Sequence, residues 1–133
     1  MENLEKSELV IAKILGLLME WGLSNSKLEF HELGLDEEYL PFFSTCVEWL
    51  EAEGVIRTRR IQTFADEKTI SVFGPTLTAH GLGLMGKQLN VGGQTSTIGE
   101  AVKQTAKETN FYTGLGDLGG GFVGGLLKSL GSG

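Results

Sequence analysis

The stretch from Pro41 to Met85, PFFSTCVEWLEAEGVIRTRRIQTFADEKTISVFGPTLTAHGLGLM, constrains the chain more than any other. Its hydrophobic period changes from helical to alternating and back. Phe43, Cys46, Val47 and Leu50 recur at helical spacing, with Phe42 and Trp49 beside them and Glu48, Glu51 and Glu53 opposite. This predicts a helix over 41–53, opened by Pro41, which suits a first helical turn, and closed by Gly54. Val55 to Phe64 reads as a strand, residues 65–68 (ADEK) as a polar turn, and Thr69 to Phe73 as the return strand. Gly74-Pro75 must end or bulge the pairing, because proline cannot donate to a ladder. Thr78 is placed to cap a helix over roughly 79–89. Helix, hairpin and helix in that order predict an α+β domain.

Upstream, residues 4–22 predict a helix apolar around most of its circumference, with Lys6, Lys13 and Glu20 as a narrow polar side. So wide an arc suits a central helix covered on more than one side. Lys27 to Phe30 predicts a short first strand with Leu28 and Phe30 turned inward. His31 stands beside Glu29 and Glu32, but without a further ligand at a metal-binding spacing these read as a solvated turn. Asp36, Glu37 and Glu38 open a helical turn at 36–40, where Asp36 can cap and acids favour a first turn.

The run Leu50-Glu51-Ala52-Glu53-Gly54-Val55-Ile56-Arg57 resembles the "LE..GLI.R" end of a recognition helix. Leu77-Thr78-Ala79-His80-Gly81, followed by Leu84 and Met85, resembles the "LT..G..L" segment that follows a wing. Over about residues 4–90 the chain is similar to winged-helix domains of the MarR and PadR kind, and to small bacterial and phage winged-helix proteins. The resemblance implies a mainly helical winged helix with a two- or three-stranded wing. It also implies a transcriptional regulator of duplex DNA, with Ser44, Thr45, Arg57, Arg59 and Arg60 as candidate nucleic-acid contacts.

The charge distribution points elsewhere. Residues 1–54 hold three Lys against twelve Asp and Glu, a net of −9, while residues 55–90 carry +3 and residues 91–133 balance. Phosphate is bound through Lys and Arg, so only the wing has the sign for a polyanion. The helix that would read bases begins DEEYLPFFST, with carboxylates and two phenylalanines where polar readers belong.

Residues 91–133 form a second unit: a short helix and a glycine-rich apolar tail. Fifteen of the 20 glycines lie after residue 80. Thr97 and Glu100 make a capping box for a helix from Ile98 to about Glu108, whose thin apolar face needs a partner surface. The tail FYTGLGDLGGGFVGGLLKSLGSG places Phe122, Val123, Leu126 and Leu127 on one side if drawn as a helix. Its glycines cost on the order of 1 kcal/mol each against alanine, so it needs a partner, a membrane surface or a copy of itself to order.

Cys46 is the only cysteine, which excludes an internal disulfide and a cysteine-cluster metal site. With an acidic N-terminus, it suggests a cytoplasmic protein. No catalytic set, metal spacing, phosphate loop or cofactor motif emerges, and no small-molecule substrate is implied. The residues favour a non-enzymatic module that binds a protein, or itself, through Phe42, Phe43 and the tail residues Phe122, Val123, Leu126 and Leu127. The alternatives are a DNA-binding regulator using the wing arginines and a protein docked on a membrane surface through its tail.

Overall fold

The computed structural model describes residues 3–65, 69–91 and 94–107. Among the described residues the fold is α+β: four α-helices and small antiparallel sheets. Helix α1 (Asn3–Trp21) buries Leu9, Val10, Ile11, Ala12, Ile14, Leu15 and Leu18, and ends where the Gly22 N–H reaches the Leu18 carbonyl with Gly22 at φ +67°. Strand β1 (Lys27–Glu29) follows. Phe30 does not extend it: Phe30–Leu33 is a 3₁₀ turn held by reciprocal bonding between Glu29 and Glu32, and the half-buried Phe30 ring meets Phe43 edge-on at 5.9 Å. A second 3₁₀ turn, Glu37–Tyr39, leads into helix α2 (Leu40–Ala52), with Pro41 in its first turn. Asp36 stands at the N-cap of that 3₁₀ turn, but its backbone carbonyl, not its carboxylate, receives the Tyr39 N–H.

The C-terminus of α2 is a Schellman motif. The Val55 N–H bonds to the Leu50 carbonyl and the Gly54 N–H to the Glu51 carbonyl, with Gly54 at φ +76° and both Leu50 and Val55 fully buried. Beyond it the expected single strand 55–64 is two strands in two sheets. Strand β2 (Ile56–Arg57) pairs with β5 (Thr76–Leu77), and β3 (Arg60–Thr63) pairs with β4 (Ile70–Phe73), which also pairs with β1. The three-stranded sheet has the order β1-β4-β3. The break has a physical cause on the opposite chain: Gly74 at φ +63° and the donorless Pro75 interrupt the ladder, and Thr58 and Arg59 kink opposite them. Pairing therefore resumes after Gly74-Pro75, as a bulge permits.

Helix α3 (Ala79–Met85) is shorter than expected, because Gly86 ends it and the chain turns into a hairpin of β6 (Gln88–Val91) and β7 (Gln94–Thr97). Helix α4 (Ile98–Lys107) then begins with the expected capping box: the Glu100 N–H donates to Thr97 Oγ1 at 3.1 Å, and Glu100 Oε1 accepts from the Thr97 N–H at 3.0 Å. The bond from the Thr97 backbone, with a second from the Thr97 hydroxyl to the same oxygen, holds the Glu100 carboxyl below its usual range. α4 packs on α1 and α3, and its Ile98, Ala101 and Val102 join the core formed by residues 9–85. The wide apolar arc of α1 is thus covered from two sides, by α2 and by α4. The C-terminal tail, including Phe122, Val123, Leu126 and Leu127, lies outside the described residues, as do 66–68 of the wing turn.

The two motifs that carry the winged-helix resemblance meet at one junction. Ile56 pairs with Leu77, and the Thr78 N–H donates to the Val55 carbonyl at 3.0 Å. Thr78 Oγ1 donates to the Gly54 carbonyl and accepts the Gly81 N–H at 2.9 Å, capping α3. A Cβ at Gly81 would lie 2.1 Å from the Val55 carbonyl oxygen, so only glycine fits. At Gly83 a Cβ meets nothing within 4 Å. Gly81→Ala is expected to destabilise the fold by about 3 kcal/mol through overpacking. Gly83→Ala, on the same short helix, is expected to stabilise it by up to about 1 kcal/mol. Urea denaturation of the two variants checks both signs.

One acid lies on the core side of α1. Glu8 is only 4 % exposed, and among the described residues its Oε1 has no hydrogen-bond partner. Burial, with the neighbouring Glu5 adding to it, raises its carboxyl from 4.5 to about 8. The folded protein therefore keeps a proton at Glu8 that the unfolded chain releases. The penalty is absent below the unfolded value of 4.5, grows as pH rises through the interval, and levels off above about 8. Glu8→Gln is expected to abolish this decline and to leave the variant more stable than the parent at alkaline pH. Melting temperatures measured across the interval decide it.

Candidate interaction surface

Helix α2 is the element that the sequence resemblance takes for a recognition helix. Its outward positions are Pro41, Thr45, Glu48, Glu51, Ala52 and Glu53, all exposed, and the exposed Glu37 and Glu38 precede it. Among the described residues of α2 itself there is no lysine or arginine. Lys6 of α1 stands 3.7 Å from Glu38 and 5.9 Å from the Phe42 ring centroid. The face is acidic with an aromatic border.

The candidate residues fare differently within it. Phe42 is half-buried and borders the acidic face. Phe43 is 0 % exposed and packs on Phe30, so it holds the fold and cannot touch a partner. Its register in the buried stripe with Cys46, Val47 and Leu50 carried that signal. Ser44 is half-buried, and Thr45, exposed, lies with Oγ1 3.5 Å from the Pro41 carbonyl. Cys46 is buried, its thiol raised to about 11 by that burial, which suppresses the thiolate a nucleophile needs.

The wing arginines do not extend the α2 face. Arg57 is exposed on β2 and lines a recess with Arg59. Arg59 donates from Nη1 to Asn25 Oδ1 at 2.8 Å, tying it to the loop after α1. Arg60 lies over the Phe73 ring, 4.5 Å from its centroid. The acid of α2 adjoining this region, Glu51, accepts the Thr58 hydroxyl. Arg59 and Arg60 therefore engage different groups, and Arg57 engages none among the described residues.

The fold also gathers Glu29, His31 and Glu32, with ligand atoms within 4.8 Å of one another. Their contacts are internal ones. Glu29 Oε2 accepts the buried Ser71 hydroxyl at 2.7 Å, which holds the carboxyl below its usual range, and Glu32 Oε1 receives the Glu29 N–H. A second concavity of about 480 Å³ lies between α1 and α4, lined by Leu17, Met19 and Leu33 with Lys13, Glu20, Glu32 and Lys103. Among the described residues no helix is long and apolar enough to cross a membrane.

Compared with known families, curated proteins and solved structures, the chain matches no family model, no curated protein and no solved structure. Its functional reading rests on the residues themselves.

Proposed function

We propose that the chain is a non-enzymatic module of winged-helix type that binds a basic protein partner through the acidic outer face of α2. The winged-helix reading is supported by connectivity: a helix, a short strand, a helix, then a hairpin, with β1 added to the far side of β4 in the order β1-β4-β3. The segment before α2 holds two 3₁₀ turns in place of a full second helix. The observation that carries the functional reading is the sign of the α2 face. Exposed Glu48, Glu51 and Glu53 would meet phosphate with like charge, whereas they complement lysine and arginine on a protein. Phe42 gives that face an apolar border, and the apolar tail residues Phe122, Val123, Leu126 and Leu127 offer a second contact. A cytoplasmic setting accords with the single reduced cysteine.

Affinity capture from the source cells tests the assignment. Glu48→Lys/Glu51→Lys is expected to lose the captured protein, while Arg57→Ala/Arg59→Ala/Arg60→Ala retains it. The parent chain is expected to leave duplex DNA unshifted at about 0.15 M salt, where non-specific binding through few phosphate contacts is weak. A parent chain that shifts DNA, together with an arginine variant that does not, would reverse the assignment in favour of a DNA-binding regulator.

A further inference from the structure

A recess of about 280 Å³ opens where three connections converge: the loop after α1, the break between β2 and β3, and the turn from β4 to β5. Its walls are tied together by backbone bonds. The Gly74 N–H donates to the Ser26 carbonyl at 2.8 Å, and the Arg59 N–H to the Phe73 carbonyl at 2.8 Å. Arg57 and Arg59 line it with Ser24, Thr58, Thr76 and Leu23, the last 79 % exposed; the Thr58 hydroxyl donates to Glu51 outside the lining, and Ser24 Oγ lies 2.8 Å from Ser26 Oγ. Among the described residues no carboxylate lines it.

Arg59 is placed, not merely present. A Cβ at Gly74 would fall 2.5 Å from Arg59 Cδ and 2.7 Å from its Cγ, so the glycine makes room for the Arg59 stem to lie against the turn. The guanidinium is then held by Asn25, a neutral acceptor that orients it without cancelling its charge. Arg57 has neither a hydrogen bond nor an ion pair among the described residues. Two guanidinium groups with no carboxylate paired to them among the described residues, on the walls of one concavity, are the complement of an oxyanion. Donors on three walls suit a tetrahedral anion better than a planar one. The volume falls short of the usual ~300 Å³ lower end for whole-ligand pockets and fits a single anionic group.

We propose that this recess is a binding site for a phosphate dianion, free or as a small monoester, independent of the acidic α2 face. Arg57 and Arg59 supply the charge, and Ser24 and Thr76 supply hydroxyl donors. A monoester would lay its organic part on Leu23.

The test is an amide-resolved NMR titration of the full chain with inorganic phosphate and with phenyl phosphate, at constant ionic strength. Shifts at Asn25, Arg57, Gly74 and Thr76 are expected, with a dissociation constant of about 1 mM. Arg57→Ala, at an exposed position, is expected to weaken binding about tenfold while the melting temperature stays unchanged. Tighter binding of phenyl phosphate would mark the monoester as the ligand, and equal binding would mark free phosphate. Amides that stay still up to about 20 mM of both anions would overturn the site, since such an affinity corresponds to little binding energy. So would an unaltered affinity in Arg57→Ala, or the same amides moving with duplex DNA alone.

Discussion

The carbonyl of Val55 is the point on which the architecture turns. It lies just past the end of α2, at the start of β2, and accepts the Thr78 N–H at the opening of α3. It also stands where a side chain on Gly81 would have to go. One acceptor thus ties the exit of α2 to the entrance of α3, and the two-residue pairing of β2 with β5 completes the clasp. Because a buried carbonyl left without its donor is costly, the clasp is set by satisfaction of polar groups as much as by packing. The hairpin of β3 and β4 projects from this fixed base.

Around that base the charges are sorted rather than mixed. Glu37, Glu38, Glu48, Glu51 and Glu53 lie on α2 and the turns at its two ends, while Arg57 lies on β2, Arg59 in the β2–β3 break and Arg60 on β3. Each arginine is engaged differently, by an amide, by an aromatic ring, or by nothing among the described residues. A surface that gripped a nucleic-acid backbone would need these cations in register with the presented helix. Here that helix offers carboxylates instead.

Much of this was legible in the amino-acid order. The stripe of Phe43, Cys46, Val47 and Leu50, the stop at Gly54, the cap at Thr78 and the Thr97/Glu100 box each follow from local chemistry, and each appears where the pattern puts it. The division of 55–64 into two strands was not legible, because its cause sits on another strand, at Gly74 and Pro75. The β6–β7 hairpin carries its own signal: QLNV and QTST flank a Gly-Gly pair, as in a two-residue hairpin. Glu8 shares the helical register of Ile11, Ala12 and Leu15, so spacing alone puts it on the buried face; its missing hydrogen-bond partner among the described residues is visible only in the fold. The recess of Arg57 and Arg59 is likewise invisible in sequence. Asn25 and Gly74, which shape it, are 49 positions apart and meet only through the fold.

The thiol of Cys46 has a practical meaning. It sits in the seam between α1 and α2, with its sulfur 3.7 Å from the Ser7 carbonyl, and burial leaves it protonated across the physiological range. An alkylating reagent needs both access and thiolate. As the chain's one sulfhydryl, it is a built-in clock: the speed at which it is labelled reports how often those two helices part.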